Sequence, residues 1–220
     1  MEIFVIPSKE KGENAMPTET FFRLPDSKRE RILQAIKEEI ARSPYEDFSI
    51  GVIVRECGIS RGSFYQYFKN KEDIYLYLLS GYQSQIFNFG TKKLLENGGD
   101  FFAALEDTYR FAVRMLCYKD SKAFRHNLFC NMRLVELVWQ RVEYAEEQFR
   151  EVWAFRDAVD RKLLNVQNEA EFSDLFNICM ISGLKELGGI FITDDNEQTV
   201  LDRYLRKLAL LRRVFAKRPE

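Results

Sequence analysis

The sequence predicts an all-α protein, and two observations support that prediction. Only five prolines occur in 220 residues, and Pro44 is the only one between Ala41 and Lys217. Proline breaks helix interiors, so long helices are allowed along almost the whole chain. Apolar residues also recur three and four positions apart in successive segments, which is the spacing of one helix face. We therefore expect about nine helices.

The composition is that of a globular protein. Apolar residues make up 46% of the chain and charged residues 30%, with a net charge of −1. The four cysteines have no metal-type spacing, which favours a reduced, cytoplasmic chain with buried thiols and no metal or cofactor. The first residues lack the basic and apolar regions of a signal peptide, and no apolar run is long enough to predict a membrane span.

The first helices are short and sharply delimited. Residues 1–25 are polar and contain three prolines, so we expect a loosely held N-terminal tail. The predicted elements that follow are a helix from Asp26 to Ser43, a second over 49–56 begun by Ser49, a turn over 57–60, a third helix over 61–68 capped by Ser60, and a fourth from Asn70 to about Asn97, closed by Gly98 and Gly99.

Longer amphipathic helices fill the rest of the chain. Each predicted segment carries an apolar stripe at helical spacing. The segments are 100–118, 120–130, 133–163, 169–191 and 196–216.

Two short helices joined by a glycine-containing turn are the sequence signature of a helix-turn-helix. The turn is Cys57-Gly58-Ile59-Ser60, in which Ile59 is the apolar residue expected between the helices. Residues 49–71 carry a net charge of +3 inside a chain of −1, so the basic charge is concentrated where the motif would meet phosphates.

The residues after the turn suit the major groove of DNA. Arg61 can reach a guanine edge, and small neighbours let the backbone come close. Phe64 and Phe68, four apart, are predicted to face inward, whereas Tyr65 and Tyr67 can donate to phosphates. Further candidates are Ser60 and Ser63 near the bases, Gln66 at an adenine or a phosphate, and Lys71 with the first amides of the fourth helix at a phosphate. As single residues, the tyrosines could instead be ordinary surface residues and the cations solvated charges.

The stretch from Ser49 to Ile74 resembles the N-terminal signature of the TetR family of bacterial transcriptional regulators. The likeness includes the Gly58-Ile59-Ser60 turn and the run Gly62-Ser63-Phe64-Tyr65-x-Tyr67-Phe68. It implies a nine-helix homodimer with a DNA-binding part over 26–72 and a ligand-binding and dimerisation part over 73–220. It also implies DNA contacts by Ser49, Ser60, Arg61, Ser63, Tyr65, Gln66, Tyr67 and Lys71.

For the larger C-terminal part the resemblance implies a ligand pocket and a dimer interface. The segments 169–191 and 196–216 are expected to pair with their copies, and Gly183, Gly188 and Gly189 would permit close helix approach; packing within one chain is the alternative. Candidate ligand-binding residues are Tyr109, Arg114, Tyr118, His126, Phe129, Trp139 and Trp153. The aromatic members could instead belong to the core, and His126 could be an ordinary surface residue.

No arrangement of residues in the sequence suggests catalysis. The chain has a single histidine, no glycine-rich phosphate loop and no nucleophile motif, so we expect that it is not an enzyme. The expected function is a sequence-specific transcriptional regulator, most simply a ligand-responsive repressor that binds a palindromic operator on double-stranded DNA as a homodimer. The alternative is a helical protein-interaction module that does not bind DNA.

Overall fold

In the computed structural model of the chain, the described residues are 17–118, 122–131, 150–193 and 195–217, with Tyr118 described through its backbone only. Their regular structure is helical apart from one isolated bridge between Leu164 and Ala216, which confirms the all-α class. The helices in this part of the chain are α1 (Glu19–Phe22), α2 (Asp26–Arg42), α3 (Ile50–Cys57), α4 (Arg61–Tyr65), α5 (Lys71–Glu96), α6 (Phe101–Tyr118), α7 (Lys122–Phe129), α8 (Arg150–Asp157), α9 (Glu169–Ile192) and α10 (Glu197–Phe215).

The chain divides into two compact units. The first contains residues 1–84 and 120–149, and the second contains 85–119 and 150–220. Helix α5 therefore contributes to both, and the division within it falls twelve residues beyond the expected boundary at residue 72. In the first unit, α2 packs on α3 and on α7, and α3 packs on α4. After a charged first turn, α5 is buried from Ile74 to Leu79.

Helix α7 completes the packing of the first unit although it lies far along the sequence. Phe124 and Leu128 of α7 are buried. The Asn127 amide donates to the carbonyls of Ile40 at 2.7 Å and Ser43 at 3.3 Å. These carbonyls lie at the end of α2, where a helix leaves its last acceptors without internal partners. The Asn127 side chain therefore adds a polar link between α7 and the end of α2 to their apolar packing.

The second unit has an aromatic core. The rings of Phe101, Phe155, Phe172 and Phe176 lie within 6.4 Å of one another, centroid to centroid, in the pairs that contact. Tyr109 of α6 stacks on Tyr204 of α10 at 3.9 Å. A Cβ atom on Gly183 of α9 would lie 3.1 Å from the Tyr204 ring, so this glycine does permit a close approach, within one chain.

The expected helix over 133–163 ends early. Residues 132–149 lie outside the described part of the chain, and the described portion ends at Asp157. Two interactions explain the end. The Arg161 guanidinium donates to the backbone carbonyls of Arg156 and Val159, and the Asp160 amide donates to Gly99 at 3.1 Å. Gly99 has a φ of 86°, and a Cβ atom at this position would clash with Asp160. Asp160 can therefore approach this closely only because residue 99 is a glycine.

The described part of the N-terminal tail also differs from expectation. Residues 17–24 are packed rather than loosely held, because Phe21 is fully buried and α1 forms within them. Polarity and prolines in residues 1–25 predict a loosely held tail. Residues 17–24 contain Phe21 and Phe22, and Phe21 is buried in the core of the first unit.

Candidate nucleic-acid interface

The turn between α3 and α4 has the geometry expected of a helix-turn-helix. Gly58 adopts the left-handed conformation with a φ of 63°, and its amide donates to Arg55 at 3.2 Å. Ser60 then caps α4, since its Oγ accepts from the Ser63 amide at 3.0 Å and lies 2.9 Å from the Ser63 hydroxyl. Both features were predicted from the sequence. They end α3 and start α4 within three residues.

Helix α4 presents one polar face and buries the other. Phe64 is fully buried, as is Phe68 just beyond the helix. Ser60, Arg61 and Gln66 are exposed, and Tyr65 is 47% exposed, which is unusual for a side chain of its size. The two predicted anchors thus hold the helix down, and four of the predicted DNA-contacting residues form its outer surface.

Tyr67 does not share that surface. It is only 4% exposed, and its ring centroid lies 6.0 Å from that of Phe21. Two positions along a helical turn rotate the side chain by roughly 200°, so Tyr65 and Tyr67 point to opposite sides. The phosphate-facing role expected for Tyr67 therefore does not fit its position, whereas Tyr65 keeps it.

Lys71 is engaged within its own chain. Its Nζ donates to the Tyr45 carbonyl at 2.8 Å and the Glu46 carbonyl at 3.3 Å, and it lies 4.3 Å from the centre of the Tyr45 ring. The Asn70 side chain caps α5 by accepting from the Asp73 amide at 2.9 Å. Lys71 therefore links the 3-10 turn Tyr45–Asp47 to the start of α5, which is a supporting position rather than that of an available phosphate ligand.

Ser49 precedes α3 but its side chain does not cap the helix. The Ser49 amide instead donates to the carboxylate of Glu39 at 3.1 Å, and Arg42 donates to the same carboxylate at 3.1 Å. Glu39 is only 2% exposed. Its position three residues after Ile36 places it on the buried face of α2, and this spacing is visible in the sequence.

Arg61 rests near the start of α3. A Cβ atom on Gly51 would lie 3.4 Å from the Arg61 guanidinium and 3.4 Å from the Ser49 hydroxyl. Ser49 and Arg61, on two different helices, are therefore brought to one part of the motif. Because the Arg61 side chain is exposed, it can swing towards a groove without breaking the core.

The candidate ligand-binding residues are distributed over both units. Phe129 and His126 belong to the first, where the Phe129 ring lies 5.3 Å from Tyr82 and the His126 Nδ1 lies 3.3 Å from the Cys130 sulfur. Trp139 and the side chain of Tyr118 lie outside the described residues.

In the second unit the candidates have defined surroundings. The Tyr109 hydroxyl donates to the Gly183 carbonyl at 3.3 Å, and burial raises the pKa of Tyr109 well above its ordinary value. Arg114 is exposed, with its Nε donating to Arg110. The Trp153 ring faces the Arg156 guanidinium at 5.0 Å. Tyr109 is thus a core residue, in accordance with one of the two interpretations left open for the aromatic candidates.

Helices α9 and α10 carry large apolar residues on their exposed sides. On α9 these are Ile178, Ile181 and Ile192, of which Ile181 is 69% exposed, and on α10 they are Leu210 and Val214. Within the described residues α9 is the one helix whose length and mean hydropathy of 1.5 would suffice to cross a membrane, a test that helices of soluble proteins also pass. Exposed apolar patches are typical of surfaces that contact another molecule.

Models of two protein families match this chain. The one described as bacterial regulatory proteins of the tetR family matches residues 32–78, and the one described as a tetracyclin repressor-like C-terminal domain matches residues 100–213. Together they cover the helix-turn-helix and most of the helices that follow. The resemblance found in the sequence is confirmed.

Individual proteins are also similar. The uncharacterized HTH-type transcriptional regulator YdgC of Bacillus subtilis (strain 168) is 34% identical over 70 residues, 32% of this chain and 36% of that protein, so the chain spans about a third of the length of this curated relative. The solved structure of a TetR transcriptional regulator from Rhodococcus sp. RHA1 covers 84% of this chain and 94% of its own, with a TM-score of 0.54 at 15% identity. A structure assigned to the same family from Mesorhizobium loti MAFF303099 covers 87% and 98%, again with a TM-score of 0.54 at 15% identity. These likenesses show a shared fold.

Proposed function

Because the chain belongs to the TetR family of bacterial DNA-binding transcriptional regulators, we propose that it binds a palindromic operator as a homodimer and releases it when a small molecule binds. The family consists of transcription factors rather than enzymes, which confirms the expectation that this chain is not an enzyme. A cytoplasmic location is part of the proposal, since a regulator must reach the chromosome.

The outer face of α4 is the observation that supports DNA binding most directly. Its exposed residues combine a long cation at Arg61, the amide of Gln66 and the hydroxyl of Tyr65 on a helix anchored by buried phenylalanines. Arginine reads guanine, glutamine reads adenine and hydroxyls bind phosphates. We assign base contacts to Arg61 and Gln66.

The remaining DNA contacts lie around that face. Ser60 and Ser63 stand at the start of α4, Ser49 at the start of α3, and Tyr65 on the outer surface. Small hydroxyl side chains at helix starts allow the backbone to approach phosphates closely. Tyr67 and Lys71 act without touching DNA: Tyr67 packs in the core of the first unit, and Lys71 fixes the 3-10 turn. Their replacement would therefore weaken DNA binding by distorting the helix-turn-helix.

The homodimer is proposed to form through α9 and α10. The exposed isoleucines of α9 and the exposed Leu210 and Val214 of α10 would be covered by the same residues of a second copy. A two-fold dimer would present two copies of α4 to half-sites about one helical turn apart, roughly 34–36 Å. The apolar character of α9 is then that of an interface helix.

Ligand control is proposed to act through α5. This helix starts directly after the DNA-binding motif and has 26 residues, of which residues 85–96 belong to the second unit. A ligand that binds better to one arrangement of the helices shifts the population towards it, and a small rotation of α5 would change the spacing of the two recognition helices. Thermal stabilisation by candidate small molecules would identify the ligand.

The proposal is tested by measuring binding to duplexes from the promoter region of the protein's own gene. We expect a palindromic duplex to bind tightly, with affinity that falls steeply as salt rises. Arg61→Ala should relax the preference at one base pair, with a loss on the order of 1–3 kcal/mol for the preferred base.

Lys92→Ala is the matched control, because it also removes one positive charge and Lys92 is an exposed residue of α5 in the second unit. It should leave affinity unchanged. An equal loss of affinity on every duplex for Arg61→Ala would refute base reading by Arg61. No retention of any nearby duplex at low salt would refute DNA binding and favour the protein-interaction alternative.

A further inference from the structure

The end of α4 is held by the N-terminal segment of the chain. The Thr18 hydroxyl donates to the Gln66 carbonyl at 2.5 Å, and the Thr18 amide donates to the Tyr67 carbonyl at 3.1 Å. These two carbonyls directly follow the last residue of α4. Carbonyls at a helix end have no partner within the helix, so Thr18 satisfies acceptors that water would otherwise have to reach.

Phe21 adds an apolar anchor to the same segment. It is fully buried, and its ring lies 5.1 Å from Phe68 and 6.0 Å from Tyr67 and from Tyr77, centroid to centroid. Phe68 and Tyr67 directly follow the recognition helix, while Tyr77 belongs to α5. One side chain from the N-terminal segment thus wedges between the end of α4 and the start of the long helix.

The segment is itself fixed at both ends. The Phe21 amide donates to the Thr18 carbonyl at 3.0 Å, which closes the first turn of α1. Arg29 of α2 donates to the Phe22 carbonyl at 3.2 Å, and Pro25 is the N-cap residue directly before α2. The segment therefore connects α4 and α5 to the body of the first unit.

Helix α4 needs such external support. It has only five residues, and isolated helices shorter than about 12–15 residues are marginal in water. Its start is capped by Ser60, and its inner face is anchored by Phe64. Its end depends on contacts from outside the motif, and residues 17–24 supply them.

We propose that residues 17–24 form a clasp that sets the orientation of α4 for base reading, with Thr18 as a positioning residue that need not touch DNA. This inference rests on the proposed function of α4. Binding groups must be held within about 0.5 Å of their productive positions, and base contacts carry the sequence preference whereas phosphate contacts do not. Loosening the clasp therefore lowers affinity for the operator more than affinity for unrelated duplexes.

The test compares Thr18→Val and Thr18→Ser in the full chain. Valine keeps the shape of threonine and removes the hydroxyl donor, whereas serine keeps the donor. Thr91→Val is the matched control, because the Thr91 hydroxyl also donates to a backbone carbonyl, that of Phe87 at 2.9 Å, within α5. Each variant is studied at a temperature at which it is fully folded.

Two readouts are measured. Hydrogen exchange at the amides of residues 64–68 should be faster in Thr18→Val than in the wild type, Thr18→Ser and Thr91→Val. Operator affinity should fall roughly fivefold in Thr18→Val, the loss expected for one hydrogen bond, with the salt dependence and the affinity for unrelated duplexes unchanged. A chain that starts at Met16 keeps the clasp and should behave as the full chain does.

The outcomes separate the clasp from the proposed function. If hydrogen exchange at the amides of residues 64–68 is unchanged in Thr18→Val, the clasp is overturned, whatever the measured operator affinity. Faster exchange with full operator affinity also overturns it, because the contact would then be structural only. If the wild type binds no duplex, the proposed function fails, and the exchange experiment alone decides whether residues 17–24 hold α4.

Discussion

Replacing Glu39 tests whether a buried carboxylate builds the start of the helix-turn-helix. In Glu39→Ala the Ser49 amide loses its acceptor at the beginning of α3, and Arg42 loses one of its two carboxylate partners. An unsatisfied buried donor costs about 1–3 kcal/mol. The Arg42 side chain is 52% exposed and can turn to water or to Glu56, so the ion pair adds little. Because the Ser49 amide is only partly buried, we expect a loss of about 1–2 kcal/mol in the free energy of unfolding.

Glu39→Gln separates the acceptor atom from the charge. Its side-chain carbonyl can still accept from Ser49. What is lost is the charge of the Arg42 ion pair, which contributes little, and the attraction between a negative charge and the start of α3, on the order of 0.3–1 kcal/mol. Glu38→Ala is the control, because Glu38 is an exposed acid on the same helix, and we expect a change within about 0.5 kcal/mol. Urea unfolding of the three variants gives the free energies, with the midpoint and slope fitted separately.

The order of the three losses decides the matter. If Glu39→Gln costs as much as Glu39→Ala, the charge rather than the accepting oxygen stabilises α3, and the argument is wrong. If Glu39→Ala costs as little as Glu38→Ala, the carboxylate contributes nothing that water cannot replace. Operator binding of Glu39→Gln should stay close to that of the wild type, because the geometry of the motif is retained.

Three further predictions concern packing, acidity and thiol reactivity. Gly90→Ala would place a Cβ atom 2.6 Å from the Thr108 hydroxyl and 2.7 Å from the Phe155 ring, so this variant should lose about 1–3 kcal/mol of stability and melt at a lower temperature than the wild type. Gly62→Ala is the control, because the nearest atom to its Cβ would lie at 3.9 Å, and it should melt no lower than the wild type. The hydrogen bond from Arg203 lowers the pKa of Asp195 below its ordinary value of 3.8, so the stability that this bond confers is present above pH 3.8 and is lost as the pH falls through the lowered pKa. The difference in melting temperature between the wild type and Asp195→Asn should therefore vanish below the lowered pKa. A difference that stays constant with pH would contradict this reasoning. Burial raises the pKa of Cys179 to about 12, so Cys179 should react with a thiol reagent at pH 8 only on unfolding, and prompt labelling in the native protein would contradict its placement.

Features that depend on neighbours in the sequence were predictable. Gly58, Ser60 and Asn70 act within four residues of their own positions, and the structure has each in its predicted role. The phenylalanines of α4 follow from a spacing of four. Helix α5 was placed to within one residue at either end, because the Asn70 cap and the glycine pair at 98 and 99 mark its limits.

Features that depend on contacts between residues far apart in the sequence could not be predicted. From the sequence, Lys71 is expected to be a surface cation. Its actual partners, the carbonyls of Tyr45 and Glu46, lie 25 or more residues earlier in the chain. Phe21 lies in a polar, proline-containing segment, and only its distant ring partners make it core. Glu39 was the exception, since its place on the apolar face of α2 was visible, but a carboxylate there has no meaning until Ser49 comes near.

Helix α7 has a consequence for how such proteins are cut and recombined. A gene fragment that ends at residue 84 would encode the whole helix-turn-helix yet omit the helix that covers α2, together with the Asn127 amide that occupies its last carbonyls. Such a fragment should be aggregation-prone. Hybrid regulators made by exchanging only the first 84 residues would bring together an α2 and an α7 that were never selected to fit. An exchange that keeps this DNA-binding unit intact therefore has to transfer two separate segments of the gene, those for residues 1–84 and 120–149.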